Sequence, residues 1–167
     1  MAEEDKVFST KVKHSGVWDF KGIYAVLSSW FSDNGYGLSE NSYKENIGAG
    51  GAKEIEIEWE ASKKVTDYFK YKIKANWQIV GMTSVEVEID GAKKKMNKGQ
   101  FEIAYKATIT KDYEEKWTSK PIWKFLRALY DKYLIKETKS SYEDKLVDDI
   151  QGLVEETKAY LALTGRK

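Results

Sequence analysis

The residues equipped for chemistry are few in kind. The chain holds one histidine, His14, and no cysteine. Thiolate catalysis, disulfides and any zinc site with cysteine ligands are therefore excluded. A serine–histidine pair would have to bring Ser28 or Ser29 to His14, and no nucleophile-elbow sequence supports it. His14 reads instead as an ordinary strand-end residue. Carboxylates are plentiful: Glu54, Glu56, Glu58 and Glu60 alternate along "EIEIEWEA" and offer the oxygen ligands that Mg²⁺ or Ca²⁺ takes. Lys70, Lys72 and Lys74 alternate in the same way along "YFKYKIKANWQI", so a solvated charge ladder is the better account of the glutamates. Asp112, Glu114 and Glu115 stand near Tyr113 and Trp117. Acid–base work needs carboxylates in contrasting environments, and nothing marks one of these as buried. Neither phosphate-binding glycine pattern occurs, so nucleotide binding by such a loop has no support. The expectation is a non-enzymatic protein with no catalytic residue, no cofactor and no metal.

Two sets of residues could bind rather than react. The first is aromatic, drawn from six tryptophans, eleven tyrosines and six phenylalanines. Trp59, Tyr71, Trp77, Phe101 and Tyr105 fall on the apolar side of alternating runs, while Trp30 and Phe125 come from helical ones. Rings that fail to interlock leave space for an apolar ligand, whereas rings that do interlock are plain core. The expected ligand site is this set of seven. The second set is basic: Lys93, Lys94, Lys95 and Lys98 in "GAKKKMNKG", at the tip of a hairpin. Four lysines can meet phosphates or anionic lipid headgroups, and a solvated turn is the bland alternative. Arginine, the usual choice for bidentate phosphate recognition, occurs only as Arg127 and Arg166. With a net charge of +1, attraction to a polyanion must come from a local patch, and nucleic acid is a disfavoured partner.

These residues need elements to hold them. "KVFSTKVK" alternates loosely as a first strand. Ile23, Val26, Leu27, Trp30 and Phe31 recur at helical spacing, and Asn34 or Gly35 can end that helix in a left-handed conformation. A strand over "YGLSENSYKENIG" and the turn "GAGGA" lead into the strictest pattern in the chain. Ile55, Ile57, Trp59 and Ala61 face one way in one run, and Phe69, Tyr71, Ile73, Ala75, Trp77 and Ile79 in the next. Period 2 of this quality means strands with one buried face and one wet one, hairpin-paired across "SKKVTD" with glutamates opposite lysines. "SVEVEID" and "QFEIAYKATIT" repeat the pattern, with Val85, Val87, Ile89, Phe101, Ile103 and Tyr105 inward and a bend at Gly81. The last third is helical. Thr118 or Ser119 caps, Pro121 sits in the first turn, and Ile122, Phe125, Leu126, Leu129, Tyr130 and Tyr133 form a buried stripe. The stripe lapses through "KETKSSYED", where Ser140 with Glu143, or Ser141 with Asp144, offers a capping box, and resumes from Leu146 to Leu161. A split near Ser140 is expected.

Strand, helix, a long antiparallel meander and a terminal helix resemble the helix-grip arrangement of START and Bet v 1-like proteins. That resemblance, topological and without a diagnostic motif, implies a curved sheet wrapped around a terminal helix and an apolar cavity for lipids or similar small molecules. The expected fold is a single α+β domain over residues 1–167. An antiparallel sheet of five or six strands is packed on one face by an N-terminal helix and a C-terminal helical region of about 119–163. A polar start without a leader, and no apolar run near the ~18 residues of a membrane span, give a cytoplasmic expectation. Three functions follow: an aromatic-lined holder of an apolar small molecule or lipid, a protein-interaction scaffold with a solid core, or an anionic-surface contact through Lys93–Lys98.

Overall fold

The computed structural model describes residues 3–66, 68–111, 121–133 and 135–164, and the described side chains exclude residues 3, 123, 127, 130–138 and 164. The elements run β1 (Glu3–Trp18), α1 (Phe20–Asp33), β2 (Gly37–Ile47), β3 (Lys53–Lys64), β4 (Phe69–Ile89), β5 (Ala92–Lys111), α2 (Pro121–Tyr133) and α3 (Ile135–Thr164). The five strands form one antiparallel sheet in the order β1-β5-β4-β3-β2, open at both edges. Strands β2 to β5 are a meander, and β1 returns from the start of the chain to pair with β5.

The alternation along β3, β4 and β5 is realised as burial. Ile55, Ile57, Trp59 and Ala61 lie beneath the helices, as do Phe69, Tyr71, Ile73, Ala75, Trp77 and Ile79, and Phe101, Ile103, Tyr105 and Ala107 beside them. The runs on either side of Gly81 belong to one bent strand of 21 residues rather than two. Val80 pairs with Gln100 and Thr83 with Lys98, so β4 carries one extra residue there. Gly81 takes a left-handed backbone conformation, and a Cβ on Gly99 across the ladder would lie 2.8–2.9 Å from the carbonyl oxygens of Gly81 and Val80. A bulge of this kind twists the strand and resets which side chains face in. Met82 and Met96 are buried beyond it, but Val85, Val87 and Ile89 are only half-buried, so the core stops short of the hairpin tip.

The expected glutamate–lysine ladder is largely replaced. Glu56 stands opposite Gln78 and Glu58 opposite Asn76, leaving Glu60 facing Lys74. Among the described residues, Glu60 makes the one ion pair across this hairpin, 3.6 Å from Lys72. The turn sets this register. Thr66 Oγ1 accepts the backbone N–H groups of Tyr68 and Phe69 at 3.1 and 2.9 Å, and the Val65 N–H reaches the Phe69 carbonyl at 3.1 Å.

Helix α1 buries Ile23, Leu27 and Phe31 against the sheet, and Gly35 (φ +82°) supplies the left-handed residue after it. Helix α3 lies beside α1, packed on β1 and β5, and buries Leu146, Ile150, Leu153, Thr157 and Leu161. Its 30 residues make a rod about 45 Å long. The split expected near Ser140 does not occur: Ser140 and Ser141 are inside α3, and Glu143 pairs with Lys139 along the helix at 3.6 Å instead of closing a capping box. Within the polar stretch that looked like a boundary, Lys139 reaches Asp5 on β1 and Tyr142 packs on Phe69 at 5.2 Å, so contacts other than an aliphatic stripe hold α3 there. Expectations for Thr118 or Ser119 as a cap, for Asp112, Glu114 and Glu115 beside Tyr113 and Trp117, and for the Tyr130 and Tyr133 side chains lie outside the described residues.

Candidate interaction surface and aromatic core

Five of the seven aromatic residues read as a ligand site come together. Trp59 on β3, Tyr71 and Trp77 on β4, and Phe101 and Tyr105 on β5 are all buried on the inner face. Their rings form a continuous edge-to-face series. Trp59 meets Trp77 at 4.9 Å between centroids, Trp77 meets Phe101 at 5.6 Å, and Phe101 meets Trp18 at 6.0 Å. From α1 and its entry, Tyr24 packs on Trp59 at 4.9 Å and Phe20 on Trp77 at 6.2 Å. These are the distances at which aromatic quadrupoles attract, so the rings satisfy one another across three strands and a helix.

Tyrosine hydroxyls at the edge of this cluster anchor α3. Tyr105 donates to Thr157 Oγ1 at 2.7 Å, and Thr157 donates in turn to the Leu153 carbonyl at 2.8 Å. Tyr71 donates to the Tyr142 carbonyl at 2.5 Å, and Tyr36 to Asp149 at 2.7 Å. Burial, followed by the nearby Asp149 carboxylate, pushes the Tyr71 hydroxyl up to about 12, and burial also raises Tyr36 and Tyr105. All three therefore stay neutral donors. The N-terminal end of α3 is tied by Lys139 to Asp5 at 2.6 Å. That hydrogen bond chiefly lowers the Asp5 carboxyl; burial acts to lower Lys139, but its contacts with Asp5 and Glu143 together raise it. The indole N–H groups of Trp18 and Trp77 are buried without an acceptor.

The other two expected ligand residues differ. Trp30 is half-buried at the margin of the core, edge-on to Phe31 at 5.3 Å and stacked on Tyr36 at 6.0 Å, with Phe31 in turn 6.2 Å from Trp59, and it also lines a shallow surface hollow with Ser29, Asp33 and Glu156. Phe125 is exposed on α2, away from the aromatic series. Helical period had put it in the core, but period fixes only that a helix has an apolar face, not what covers that face.

At the hairpin tip, Lys93, Lys94, Lys95 and Lys98 are exposed. Glu88 pairs opposite Lys93 and Glu86 opposite Lys95, with Asp90 in the turn, so the local charge is nearly balanced. Lys94 also lies 4.0 Å from Asp19. The residues between the lysines have structural tasks. Met96 is buried, and Asn97 Oδ1 accepts the Phe20 N–H at 3.0 Å, supplying the cap at the start of α1 that Asp19's own side chain does not. His14 is occupied in the same region, its Nε2 3.0 Å from the Val17 carbonyl oxygen and its ring edge-on to Trp18. Among the described residues, no cluster of three or more His, Cys, Asp or Glu is placed to hold a metal ion.

The surface with a distinct character is α2. Ile122 and Phe125 are 64% and 62% exposed, and Leu126 and Leu129 are 38% and 39% exposed. Four residues at i, i+3, i+4 and i+7 form one apolar stripe, and here the stripe faces solvent. Lys124 is exposed as well. The sequence around this helix, "KWTSKPIWKFLRALYDKYLIK", carries six basic residues and one acid, Asp131, from Lys116 to Lys136. Acids bound the run on both sides, at Asp112, Glu114, Glu115 and Glu137. No helix among the described residues is long and apolar enough to cross a membrane. Compared with models of known protein families, with curated proteins and with solved structures, the chain matches none, and the helix-grip resemblance rests on topology alone.

Proposed function

We propose that the protein is a non-enzymatic interaction module in which the sheet, α1 and α3 form the body and α2 engages the partner. One observation carries this reading: the apolar stripes of α1 and α3 are buried, while that of α2 is exposed. A stripe of four large apolar side chains is expensive to leave in water, with each worth about 1.5–3 kcal/mol on full burial. Its presence fits a face that is covered when the protein works. A cytoplasmic location belongs to the same reading. The test needs no partner. In the variant Ile122→Ser, Phe125→Ser, Leu126→Ser, the melting temperature should hold within about 2 °C, because surface substitutions of this kind change stability by little. Binding of the fluorescent apolar dye anilinonaphthalene sulfonate should fall. Were the stripe part of the core, each change would cost about 2–5 kcal/mol, and the variant would be largely unfolded. That result ends the proposal.

A second reading, a holder for an apolar small molecule or lipid in the aromatic face, draws support from the unpartnered indole N–H groups of Trp18 and Trp77. An unsatisfied interior donor costs about 1–3 kcal/mol, which a ligand carrying a carbonyl or ether oxygen would offset. Native mass spectrometry of the purified protein tests it: a copurifying small molecule supports the reading, and a bare mass under lipid-preserving conditions counts against it.

A further inference from the structure

We propose that the cleft at the start of α1 binds a small amphipathic anion, an apolar chain or ring that ends in a carboxylate. This face is separate from α2, and binding here does not depend on that helix. The cleft lies between the first turn of α1 and strands β2 to β5, and its volume is about 400 Å³, within the range of small-molecule sites. Ile55, Met82 and Met96 are buried and form an apolar floor, with the half-buried Phe20 and the exposed Tyr43 beside them. Phe20 packs in turn on Trp77 at 6.2 Å, so the cleft backs onto the aromatic core. Tyr43 has no ring partner among the described residues, although it is 44% exposed. Met82 and Met96 are two of the chain's three methionines. Unbranched thioether side chains adapt to the shape of a guest, which suits a floor that must accept an apolar body. The bulge beside Gly81 sets the facing that brings Met82 inward.

Charge decides the sign of the ligand. The titratable side chains lining the cleft are Asp19, Lys21, Tyr43, Glu45, Lys53 and Lys95. Both carboxylates are engaged. Glu45 pairs with Lys53 at 3.1 Å, while Asp19 lies 4.0 Å from Lys94 and accepts from Tyr160 at 3.4 Å. Lys21 and Lys95 are exposed, and neither has an ion-pair or hydrogen-bond partner among the described residues. Glu86 stands opposite Lys95 on the ladder but makes no ion pair with it. The two uncommitted ammonium groups come from different walls, one from α1 and one from β5, with the apolar floor between the same elements. A neutral guest would leave both unused, and a cation would be repelled by them. An anion with an apolar body satisfies the floor and the rim together.

The test follows the methionine methyl groups of the full chain by NMR, with carbon-13 labels, while decanoate is added. The Met82 and Met96 signals, assigned by Leu substitution, should shift saturably. Decyltrimethylammonium, with the same chain and the opposite charge, should bind at least about threefold more weakly, and acetate, which has the charge without the apolar body, should leave both signals in place. Lys21→Ser with Lys95→Ser should weaken decanoate binding by about three- to tenfold at an unchanged melting temperature, because two exposed contacts to a carboxylate are lost. Ile122→Ser with Phe125→Ser and Leu126→Ser on α2 should not alter the shifts, so failure here and failure of the α2 reading are told apart. Absence of saturable shifts with decanoate overturns the proposal. So do equal shifts with the cation or with acetate, and so does undiminished binding by the lysine variant. The comparison of anion and cation uses the unaltered protein and decides the matter even if a variant melts early.

Discussion

Thr157→Val offers a sharp test of how α3 is held to the sheet. The Thr157 hydroxyl is fully buried and performs two tasks, accepting from Tyr105 at 2.7 Å and donating to the Leu153 carbonyl at 2.8 Å. Valine fills nearly the same volume, so the change removes hydrogen bonding and little packing. It strands the Tyr105 O–H in the interior, where an unsatisfied donor costs about 1–3 kcal/mol. Tyr105→Phe acts differently, because Thr157 can still donate to Leu153 and no donor is orphaned. Its cost should be about 0.5–1.5 kcal/mol. The double variant removes both hydroxyls and should be more stable than Thr157→Val alone. In urea titrations, Thr157→Val should therefore fall furthest, by about 2 kcal/mol, equivalent to roughly 4–8 °C in melting temperature for a domain of this size. Additive losses in the double variant would refute the argument, since two independent sites add and two partners in one bond do not.

Three further expectations follow from the same geometry. Gly99→Ala places a Cβ against the Gly81 and Val80 carbonyl oxygens at the bulge and should cost about 1–3 kcal/mol by chemical denaturation, with a neutral outcome contradicting the bulge. Leu27→Ala and Leu153→Ala, at fully buried sites on the two packed helices, should each cost about 2–5 kcal/mol, in contrast to Leu129→Ala on α2, which should be nearly silent in the same melts. Alkaline stability is set by the tyrosines. A group whose ionisation is raised by folding stabilises the native state below its ordinary value, here 10, and loses that contribution as pH climbs to the folded value. For Tyr71 the loss runs from 10 to about 12, so ultraviolet titration should show buried tyrosines ionising together with loss of near-ultraviolet circular dichroism rather than before it.

The chain declares which side of each strand is buried much more plainly than it declares what lies opposite. Alternation placed Trp59, Trp77, Phe101 and Tyr105 on the inner face because a slip of one residue would expose all of them. A slip of two leaves every face unchanged, however. Whether Glu56 meets Lys74 or Gln78 was therefore decided by the Thr66 turn, which the pattern does not encode. The bend at Gly81 was legible from the glycine, but not that the runs on both sides were one strand, since a bulge interrupts the alternation just as a turn would. For α2, helical spacing identified the apolar stripe and assigned it to the core by default. The unbroken helix through Ser140 escaped for a related reason: the polar residues there look like a boundary from sequence, yet α3 is held to the sheet across them by Lys139 on Asp5 and by Tyr142 on Phe69.

The chain's two ends are woven together in a way that bears on its synthesis. Trp18 pairs with Asn97 and Glu3 with Lys111, while Lys139 closes on Asp5 across 134 residues of sequence. The β2–β5 meander can assemble from neighbouring hairpins as it leaves the ribosome, whereas the first strand must wait for the fifth. The part of the inner face around Tyr71 and Tyr105 must then wait for α3 to cover it. For that interval the nascent chain displays apolar surface, with an edge strand still unclaimed. A protein built this way should depend on chaperone shielding during translation more than its finished, well-packed body suggests.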